Sequence, residues 1–350
     1  MEIGDEMAIL DMDKIINNSS EDYDLGEYRV SFSNEIRKDV RVVFMGTPSF
    51  AVPILDYLIK YYNVVLVVCQ PDRKKDRIGN VVEPETKVLA KKYGVEVFQP
   101  FSIKDEYQVV LDNEPDIIIT CAYGQIIPNK LIDYPKYGCI NVHGSLLPRL
   151  RGGAPIHWAI INGDKETGMT IMAMSEKMDA GDIISQAKIV FDEDMILDTL
   201  YEKMSYLGRD LLKETMPSIL DGTCTYTKQD DKLVTFGCNI LKSDEKINFM
   251  KSAKEVKNLI RGLNSVPGAY CYFDEHRMKI YNCVVLDDNV KTENIKTGTI
   301  INVDNESFTV KCGNGLLKVL EIALEGKKRC LVRDYFNGVK KESLVGKELM

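Results

Sequence analysis

Several features that mark particular protein classes are missing from this chain of 350 residues. No apolar run approaches the ~20 residues that cross a bilayer, and the N-terminus has no basic stretch followed by an apolar one. The nine cysteines form no CxxC pair and stand mostly in apolar surroundings, which favours reduced thiols over zinc ligands or disulfides. We therefore predict a cytoplasmic protein with no membrane span, no signal peptide and no metal.

A glycine fingerprint for dinucleotides is also missing. The loop GTPSFAVPI follows an apolar strand and opens a helix, a position that favours anions or amides at a helix N-terminus. It lacks the G-x-G-x-x-G spacing, and its prolines would obstruct the approach of a pyrophosphate. A nicotinamide-dependent oxidoreductase is therefore disfavoured.

The order of the apolar segments predicts an α/β fold. Arg41–Met45 is predicted to be a strand, Ser49 to cap a helix that runs to about Lys60, and Asn63–Cys69 to be the next strand. The rhythm continues, with DIIITCAYGQIIP and GCINVHG as further strands. Continuous apolar strands that alternate with helices indicate a Rossmann-like open parallel sheet, covered on both faces.

The texture of the sequence changes after Gly222, where a polar and irregular segment begins. A helix and several short strands separated by Gly, Asn and Asp turns follow it, which indicates a small antiparallel β-barrel of the OB-like kind. We predict four parts: a flexible acidic extension (1–40), a catalytic domain (41–225), a linker (226–250) and a barrel (251–350).

Charge is distributed unevenly along the chain. Residues 1–40 carry a formal charge of −7, residues 41–240 carry −5 and residues 241–350 carry +4. The basic C-terminal part is compatible with a polyanionic partner and also with an ordinary solvated surface.

Histidine is scarce, with three residues, and one of them lies in the stretch INVHGSLLPRLRGGAPI. Asn141 and His143 stand at the end of a predicted strand, where open parallel sheets form their sites. Two residues apart, their side chains project from the same face, about 6–7 Å apart. A fixed amide donor and an imidazole that can change its protonation state could act on one reacting atom. The same pattern is also compatible with a structural histidine that bonds a backbone carbonyl.

A carboxylate that could fix and charge this histidine stands in MDAGDII, which holds Asp179 and Asp182 in a turn before a strand. Taken together, RVVFMGTP, VVCQPDR, AYGQIIP, GCINVHGSLLPRLRGGAPIHWAIINGD and MDAGDII resemble the methionyl-tRNA formyltransferase family. The resemblance runs from about Arg41 to the C-terminus and includes LIRGLNSVPGAY.

The resemblance implies an enzyme of bacterial translation initiation. It would transfer the formyl group of 10-formyltetrahydrofolate, its formyl-donor co-substrate, to the α-amino group of initiator methionyl-tRNA, as a monomer and without a metal. Asn141 and protonated His143 would stabilise the oxyanion, Asp179 would hold His143 and help to remove the amine proton, and Asp182 would be the less suitable carboxylate.

The resemblance also implies binding residues. SLLP would bind the folate through Ser145, Leu146, Leu147 and Pro148. The candidates for tRNA binding are Arg73, Lys74, Lys75, Arg77, Lys254, Lys257, Arg261, Lys327 and Lys328. Asp76 and Ile78 depart from the small residues that usually flank the family's arginine at Arg77, and Arg149 and Arg151 stay unassigned between folate, tRNA and solvent.

Two other functions stay open at this stage. A formyltransferase for an amino sugar-nucleotide or another small amine would share NVHG and the downstream aspartate. A non-catalytic module that binds folate or RNA would not need Asn141, His143 and Asp179 together.

Overall fold

The computed structural model describes residues 35–74, 81–287 and 294–350. Nearly all of the predicted extension at 1–40 therefore lies outside the described residues, as do Lys75 and Arg77. Within the described part, no helix is both long enough and apolar enough to cross a membrane.

Strands and helices alternate through the N-terminal part, as the apolar pattern predicts. The elements are β1 (Arg37–Gly46), α1 (Val52–Tyr61), β2 (Tyr62–Val68), β3 (Arg73–Lys74), β4 (Val81–Val82), α2 (Glu85–Tyr93), β5 (Val97–Phe98), α3 (Ile103–Glu106), α4 (Gln108–Asp112), β6 (Ile117–Cys121), α5 (Asn129–Ile132), β7 (Cys139–His143), α6 (Pro155–Ile161), β8 (Glu166–Ala173), β9 (Ile183–Val190) and α7 (Leu197–Leu220).

Seven of these strands form one sheet in the order β5-β2-β1-β6-β7-β8-β9. The first five are parallel, and β6 is buried along its whole length, as expected for a strand covered on both faces. β8 and β9 run antiparallel, so the prediction of a parallel sheet holds only for the first five strands. The turn at residues 174–182 joins β8 directly to β9, and a short hairpin connection is possible only between antiparallel strands.

Apolar cores lie on both faces of this sheet because alternate residues of each strand point in opposite directions. Val42 and Phe44 face the core that holds α1, α6 and α7. Val43 and Met45 face the core that holds the short helices α3, α4 and α5.

A second set of elements forms the C-terminal part. They are α8 (Ala253–Gly262), β10 (Tyr270–Phe273), β11 (His276–Asp287), β12 (Ile300–Val303), β13 (Phe308–Lys311), β14 (Leu316–Leu324), β15 (Cys330–Leu331) and α9 (Val332–Tyr335). The strands pair antiparallel in the order β10-β11-β14-β13-β12, with β15 against β14. This curled half-barrel closes over its own apolar core, which confirms the predicted fold class.

Two local predictions were wrong. β6 ends at Cys121, before AYGQIIP, because Ala122 has a φ of 48° and Gly124 a φ of 87°, and a strand does not continue through such residues. Ser49 does not cap α1: it starts a short 3₁₀ turn that precedes the helix, and it makes no capping hydrogen bond.

The two parts meet where α6 packs against α8. A Cβ on Gly262 would lie 2.7 Å from Cγ1 of Ile161 and 3.3 Å from the carbonyl oxygen of His157. The close crossing of these helices therefore requires a glycine at this position.

Candidate active site

Asn141 and His143 lie at the carboxyl end of β7 and point to the same face of the sheet. Their neighbours Ile140 and Val142 point to the opposite face, into the core with α7. The period of two in a strand therefore brings an amide and an imidazole to one edge, with apolar residues between them as anchors.

Thr120, at the facing position of β6, fixes the amide of Asn141. Its hydroxyl donates to Oδ1 of Asn141 at 2.9 Å and lies 3.2 Å from the carbonyl oxygen of Ile140 and 3.3 Å from the sulfur of Met174. Since Oδ1 is the acceptor for this hydroxyl, the Nδ2 group of Asn141 stays available as a donor. Sequence reasoning did not single out Thr120, whose only signal is a polar residue near the end of IIITC.

His143 is buried, with 6% of its surface exposed. Its Nε2 lies 3.2 Å from the carbonyl oxygen of Leu150, and a carbonyl can only accept, so Nε2 carries a hydrogen. The other ring nitrogen, Nδ1, lies 3.7 Å from Oδ1 of Asp179. This separation exceeds a hydrogen bond.

Asp179 occupies the turn that joins β8 to β9, with a left-handed φ of 52°. The backbone N–H of Gly152 donates to its Oδ2 at 2.8 Å, which leaves Oδ1 directed towards His143. Gly181 makes the tight turn possible, because a Cβ there would lie 1.8 Å from the carbonyl oxygen of Ala173. Asp182 follows this glycine, and the contact with His143 is made by Asp179.

The loops beside this site are joined by side-chain hydrogen bonds. The hydroxyl of Thr47 donates to the carbonyl of Tyr123 at 3.3 Å and accepts from the N–H of Gln70 at 3.1 Å. The Nε2 of Gln70 also donates to the carbonyl of Tyr123 at 3.0 Å. These hydrogen bonds therefore join the glycine loop to the loops after β2 and β6, and the three loops do not form a pyrophosphate-binding site.

The segment predicted to bind folate, Ser145–Pro148, follows His143 directly. Its backbone is largely engaged within the protein: the Ser145 carbonyl accepts from Thr170, the Leu147 N–H donates to Thr170 and the Leu147 carbonyl accepts from Gln186. Ser145 and Leu147 are buried, and Ser145 and Leu146 line a cleft of about 60 Å³. The segment is a rigid wall, with Leu146 and Pro148 as its half-buried side chains.

The two arginines after Pro148 differ in their surroundings. Arg149 is half-exposed and pairs with Asp164 at 2.8 Å. Arg151 is buried, and its Nε and Nη2 donate to Oε1 of Gln229 at 3.0 and 2.8 Å. Gln229 belongs to the segment predicted to be a linker, and sequence reasoning missed it because nothing in the local pattern marks it.

The basic residues predicted to bind tRNA fall into three groups. Arg73 is exposed at the base of the β3–β4 hairpin, and Lys74 lies in β3. Lys327 and Lys328 are exposed beyond β14. The three residues of α8 face the acidic loop 192–194 of the catalytic part, and their pairs and bonds are Lys254 to Glu193 at 2.9 Å, Lys257 to Asp194 at 2.7 Å and Arg261 to the carbonyl of Asp192 at 3.2 Å.

No set of three His, Cys, Asp or Glu side chains able to hold a metal ion occurs within residues 35–74, 81–287 and 294–350. The site consists of an amide, an imidazole and a carboxylate, fixed by Thr120, Leu150 and Gly152 respectively. Such a set can donate to an oxyanion and accept a proton from a nucleophile.

Comparison with known proteins extends this description. Residues 40–216 match the family model described as formyl transferase, and residues 239–340 match the one described as formyl transferase, C-terminal domain. The methionyl-tRNA formyltransferase of Staphylococcus epidermidis is 44% identical over 313 residues, which cover 89% of this chain and 99% of that protein. The methionyl-tRNA formyltransferase of Bacillus cytotoxicus is 46% identical over 308 residues, which cover 87% and 97%.

A solved structure is similar in fold. It is the N-formyltransferase of Helicobacter canadensis in complex with folinic acid and dTDP-3-aminofucose, with a TM-score of 0.59 at 18% identity. The match covers 80% of this chain and 98% of that one. At this identity the likeness concerns the fold.

Proposed function

Because the chain belongs to the formyl transferase family, we propose that it transfers the formyl group of 10-formyltetrahydrofolate to the α-amino group of methionine on initiator methionyl-tRNA. The product is N-formylmethionyl-tRNA for translation initiation. The observation that carries the proposal is the convergence of Asn141, His143 and Asp179 at the strand ends, in a chain that matches its named relatives over almost their whole length.

The reaction begins with the neutral α-amine, whose reference pKa of ~7.7–8.0 leaves a usable fraction at neutral pH. Its nitrogen attacks the formyl carbon of the donor, and the carbonyl oxygen becomes an oxyanion. Nδ2 of Asn141 and the Nδ1–H of protonated His143 donate to that oxyanion. One such donor is typically worth about 10²–10³ in rate.

Asp179 then serves two purposes. Its carboxylate, 3.7 Å from Nδ1, places a negative charge beside the imidazole of His143 while the oxyanion exists. The same carboxylate accepts the proton of the attacking amine, directly or through a water molecule. The bond from the formyl carbon to N10 breaks as the oxyanion collapses, and N10 takes up the proton to give tetrahydrofolate.

We propose that the folate lies against Ser145, Leu146, Leu147 and Pro148. Because the backbone groups of Ser145 and Leu147 are already bonded inside the protein, the contribution of the segment is a rigid apolar surface beside His143. Rigidity is useful here, because the formyl carbon has to lie within attacking distance of the amine.

For the tRNA, we propose phosphate contacts from four basic residues of the sequence QPDRKKDR (Arg73, Lys74, Lys75 and Arg77) and from Lys327 and Lys328. Lys254 and Lys257 stay candidates, but their present partners would have to be released before they could bind phosphate. Arg261 is buried, and we assign it to the junction of the two domains instead. Such contacts make the affinity for tRNA fall with salt.

One assay tests the function. The purified chain receives 10-formyltetrahydrofolate and, in parallel reactions, initiator methionyl-tRNA, glycinamide ribonucleotide and an amino sugar-nucleotide. We expect formylation of the tRNA alone, and formylation of one of the other acceptors instead would refute the proposal. Loss of turnover in His143→Ala, with the folded state retained, tests the site separately.

We also propose that the enzyme is a cytoplasmic monomer. Eight of the nine cysteines are buried or half-buried, and all nine are free thiols, as a reducing compartment permits. A mass near 39.7 kDa by light scattering of the chain without tRNA tests the monomer.

A further inference from the structure

We propose that Gln229, held by Arg151, is a positioning residue for the carboxylate of Asp179, so that the segment between the two domains is part of the catalytic apparatus. The inference rests on the proposed function and adds to it two residues that do not touch the substrates. It also gives Arg151 a position between two parts of the site.

Gln229 connects two loops through both ends of its amide. Its Oε1 accepts two hydrogen bonds from the guanidinium of Arg151, at 3.0 and 2.8 Å. Its Nε2 donates to the carbonyls of Asp179 at 2.9 Å and Gly181 at 2.8 Å. The amide of Gln229 therefore makes all four hydrogen bonds available to it, and these bonds join the turn at residues 179–181 to Arg151.

These contacts close a ring around the catalytic carboxylate. Arg151 holds Gln229, Gln229 holds the backbone of Asp179, and Oδ2 of Asp179 accepts from the N–H of Gly152, which is the residue after Arg151. Asp179 is thus fixed at its carbonyl and at one carboxylate oxygen. The remaining oxygen, Oδ1, faces Nδ1 of His143.

The segment after Gln229 also supports His143. Thr235 accepts from the N–H of Arg151 through its carbonyl at 2.9 Å, and from the N–H of Leu150 through its hydroxyl at 2.9 Å. Gly237 donates to the carbonyl of Arg151 at 2.8 Å. Leu150 is the residue whose carbonyl holds Nε2 of His143, so one stretch of chain fixes both members of the pair.

The site of Arg151 fits positioning better than phosphate or folate binding. Its side chain is 10% exposed, and both Nε and Nη2 are directed to Gln229, with Asp231 3.7 Å away. A phosphate ligand would have to displace these contacts. Arg149, by contrast, has a half-exposed side chain and its partner Asp164 on the surface side.

Positioning matters here because Asp179 holds an uncommon conformation. Its φ of 52° is left-handed, and a non-glycine residue keeps such a backbone only where its surroundings impose it. The two bonds from Gln229 are part of that constraint. A displacement of about 1 Å at a reacting group can cost on the order of 10²-fold in rate.

The test compares two substitutions at one position. Gln229→Met removes all four hydrogen bonds, whereas Gln229→Glu keeps an acceptor for Arg151 and removes the donors to Asp179 and Gly181. We expect both variants to lower kcat by roughly 10- to 100-fold, with the KM for folate and for tRNA within twofold of the wild type. Thr227→Val, an exposed side chain two residues earlier, is the matched control and should keep the wild-type kcat.

A second readout does not depend on substrate. The ¹⁵N chemical shifts of the imidazole of His143, assigned by their loss in His143→Ala, report its hydrogen-bonding partners in a chain with three histidines. We expect Gln229→Met to move them in the direction in which Asp179→Asn moves them. If the wild type does not formylate tRNA, the proposed function fails, and this readout alone decides the positioning.

The outcomes separate the possibilities. A lower kcat together with moved shifts supports the proposal. A wild-type kcat, a raised KM at constant kcat, or a lower kcat with unmoved shifts overturns it. Thermal unfolding identifies variants that do not fold. If the Gln229 variants do not fold, Arg151→Lys replaces them, because it keeps a charged donor to Gln229. We expect it to give an intermediate loss of kcat and a partial change of the ¹⁵N shifts, and wild-type values for both would overturn the proposal.

Discussion

Replacing Arg261 with methionine should weaken the junction of the two domains and leave RNA binding unchanged. From its sequence context, Arg261 belongs to a cluster of cations on one helix, which is typical of a phosphate-binding surface. In the structure it is 5% exposed and donates to Oδ1 of Asn258 at 2.9 Å and to the carbonyls of Asp192 at 3.2 Å and Met195 at 3.0 Å.

The size of the effect follows from these contacts. Hydrogen bonds from a charged group contribute about 1.5–3 kcal/mol each, and a buried carbonyl without a partner costs about 1–3 kcal/mol. Against this, burial lowers the pKa of Arg261, which means that the folded protein bears a cost for keeping the cation there. Methionine removes that cost and retains most of the packing of the aliphatic stem, so we expect a net loss of roughly 2–3 kcal/mol.

Two measurements distinguish the junction from a phosphate contact. Urea unfolding of Arg261→Met gives the change in stability, and the salt dependence of the affinity for initiator tRNA gives the number of phosphates contacted. Each lost contact lowers the slope of log K against log salt by about 0.7–0.9. We expect a lower urea midpoint and an unchanged slope.

Lys328→Met provides the matched control, because Lys328 is exposed beyond β14. It should leave the urea midpoint unchanged and reduce the slope. Wild-type stability together with a reduced slope in Arg261→Met would refute the reasoning from burial and restore the phosphate contact.

Three further predictions follow from single contacts. Thr120→Val should lower kcat about three- to tenfold at constant KM, because the amide of Asn141 loses its fixed orientation; steady-state kinetics measure both constants. Lys87→Met should cost roughly 1–3 kcal/mol in urea unfolding and raise the KM for tRNA, because the buried ammonium that holds Asp72 at the base of the β3–β4 hairpin is lost. His157→Gln should reduce the loss of stability between about pH 6.5 and pH 4. Burial lowers the pKa of His157 to about 4, and the charge of Asp198 opposes this shift. As the pH falls, the unfolded chain therefore binds the proton first, and the wild type loses up to roughly 3 kcal/mol of stability across that range.

Controls for these predictions lie close to each site. Thr120→Ser keeps the hydroxyl and should retain most of kcat. Lys87→Arg keeps the charge and should preserve part of the stability. A Thr120→Val enzyme with unchanged kcat, or a His157→Gln chain with the wild-type pH profile, would contradict the corresponding argument.

The fold and the centre of the site were accessible from the sequence because both depend on local periodicity. The strand at Ile117–Cys121 is apolar except for Thr120, and such a short run between turn residues predicts a buried strand. Asn141 and His143 follow the period of two at a strand end, and this places them on one face whatever surrounds them. The antiparallel end of the sheet was missed, since apolar composition does not encode the direction of the partner strand.

The partners of these residues were not accessible from spacing. Arg151 and Gln229 stand 78 positions apart, and the side chains of Lys254 and Glu193 meet across 61 positions. In the sequence, the lysines of α8 resemble an exposed basic surface. In the structure, the acidic loop 192–194 of the catalytic domain packs against them. Such contacts depend on tertiary packing, which a single sequence does not display.

The hydrogen bonds from residues 229–237 to the catalytic loop have a consequence for modularity. By composition the chain divides near residue 225, and a recombination event or a domain swap at that point would leave both cores complete. The recombined enzyme would nevertheless have other side chains at positions 229 and 235. Asp179 would then lose the contacts that position it. The unit that can be transplanted with its activity intact therefore extends past Gly237. A recombined or engineered enzyme has to keep residues 229–237 together with the catalytic domain that they contact.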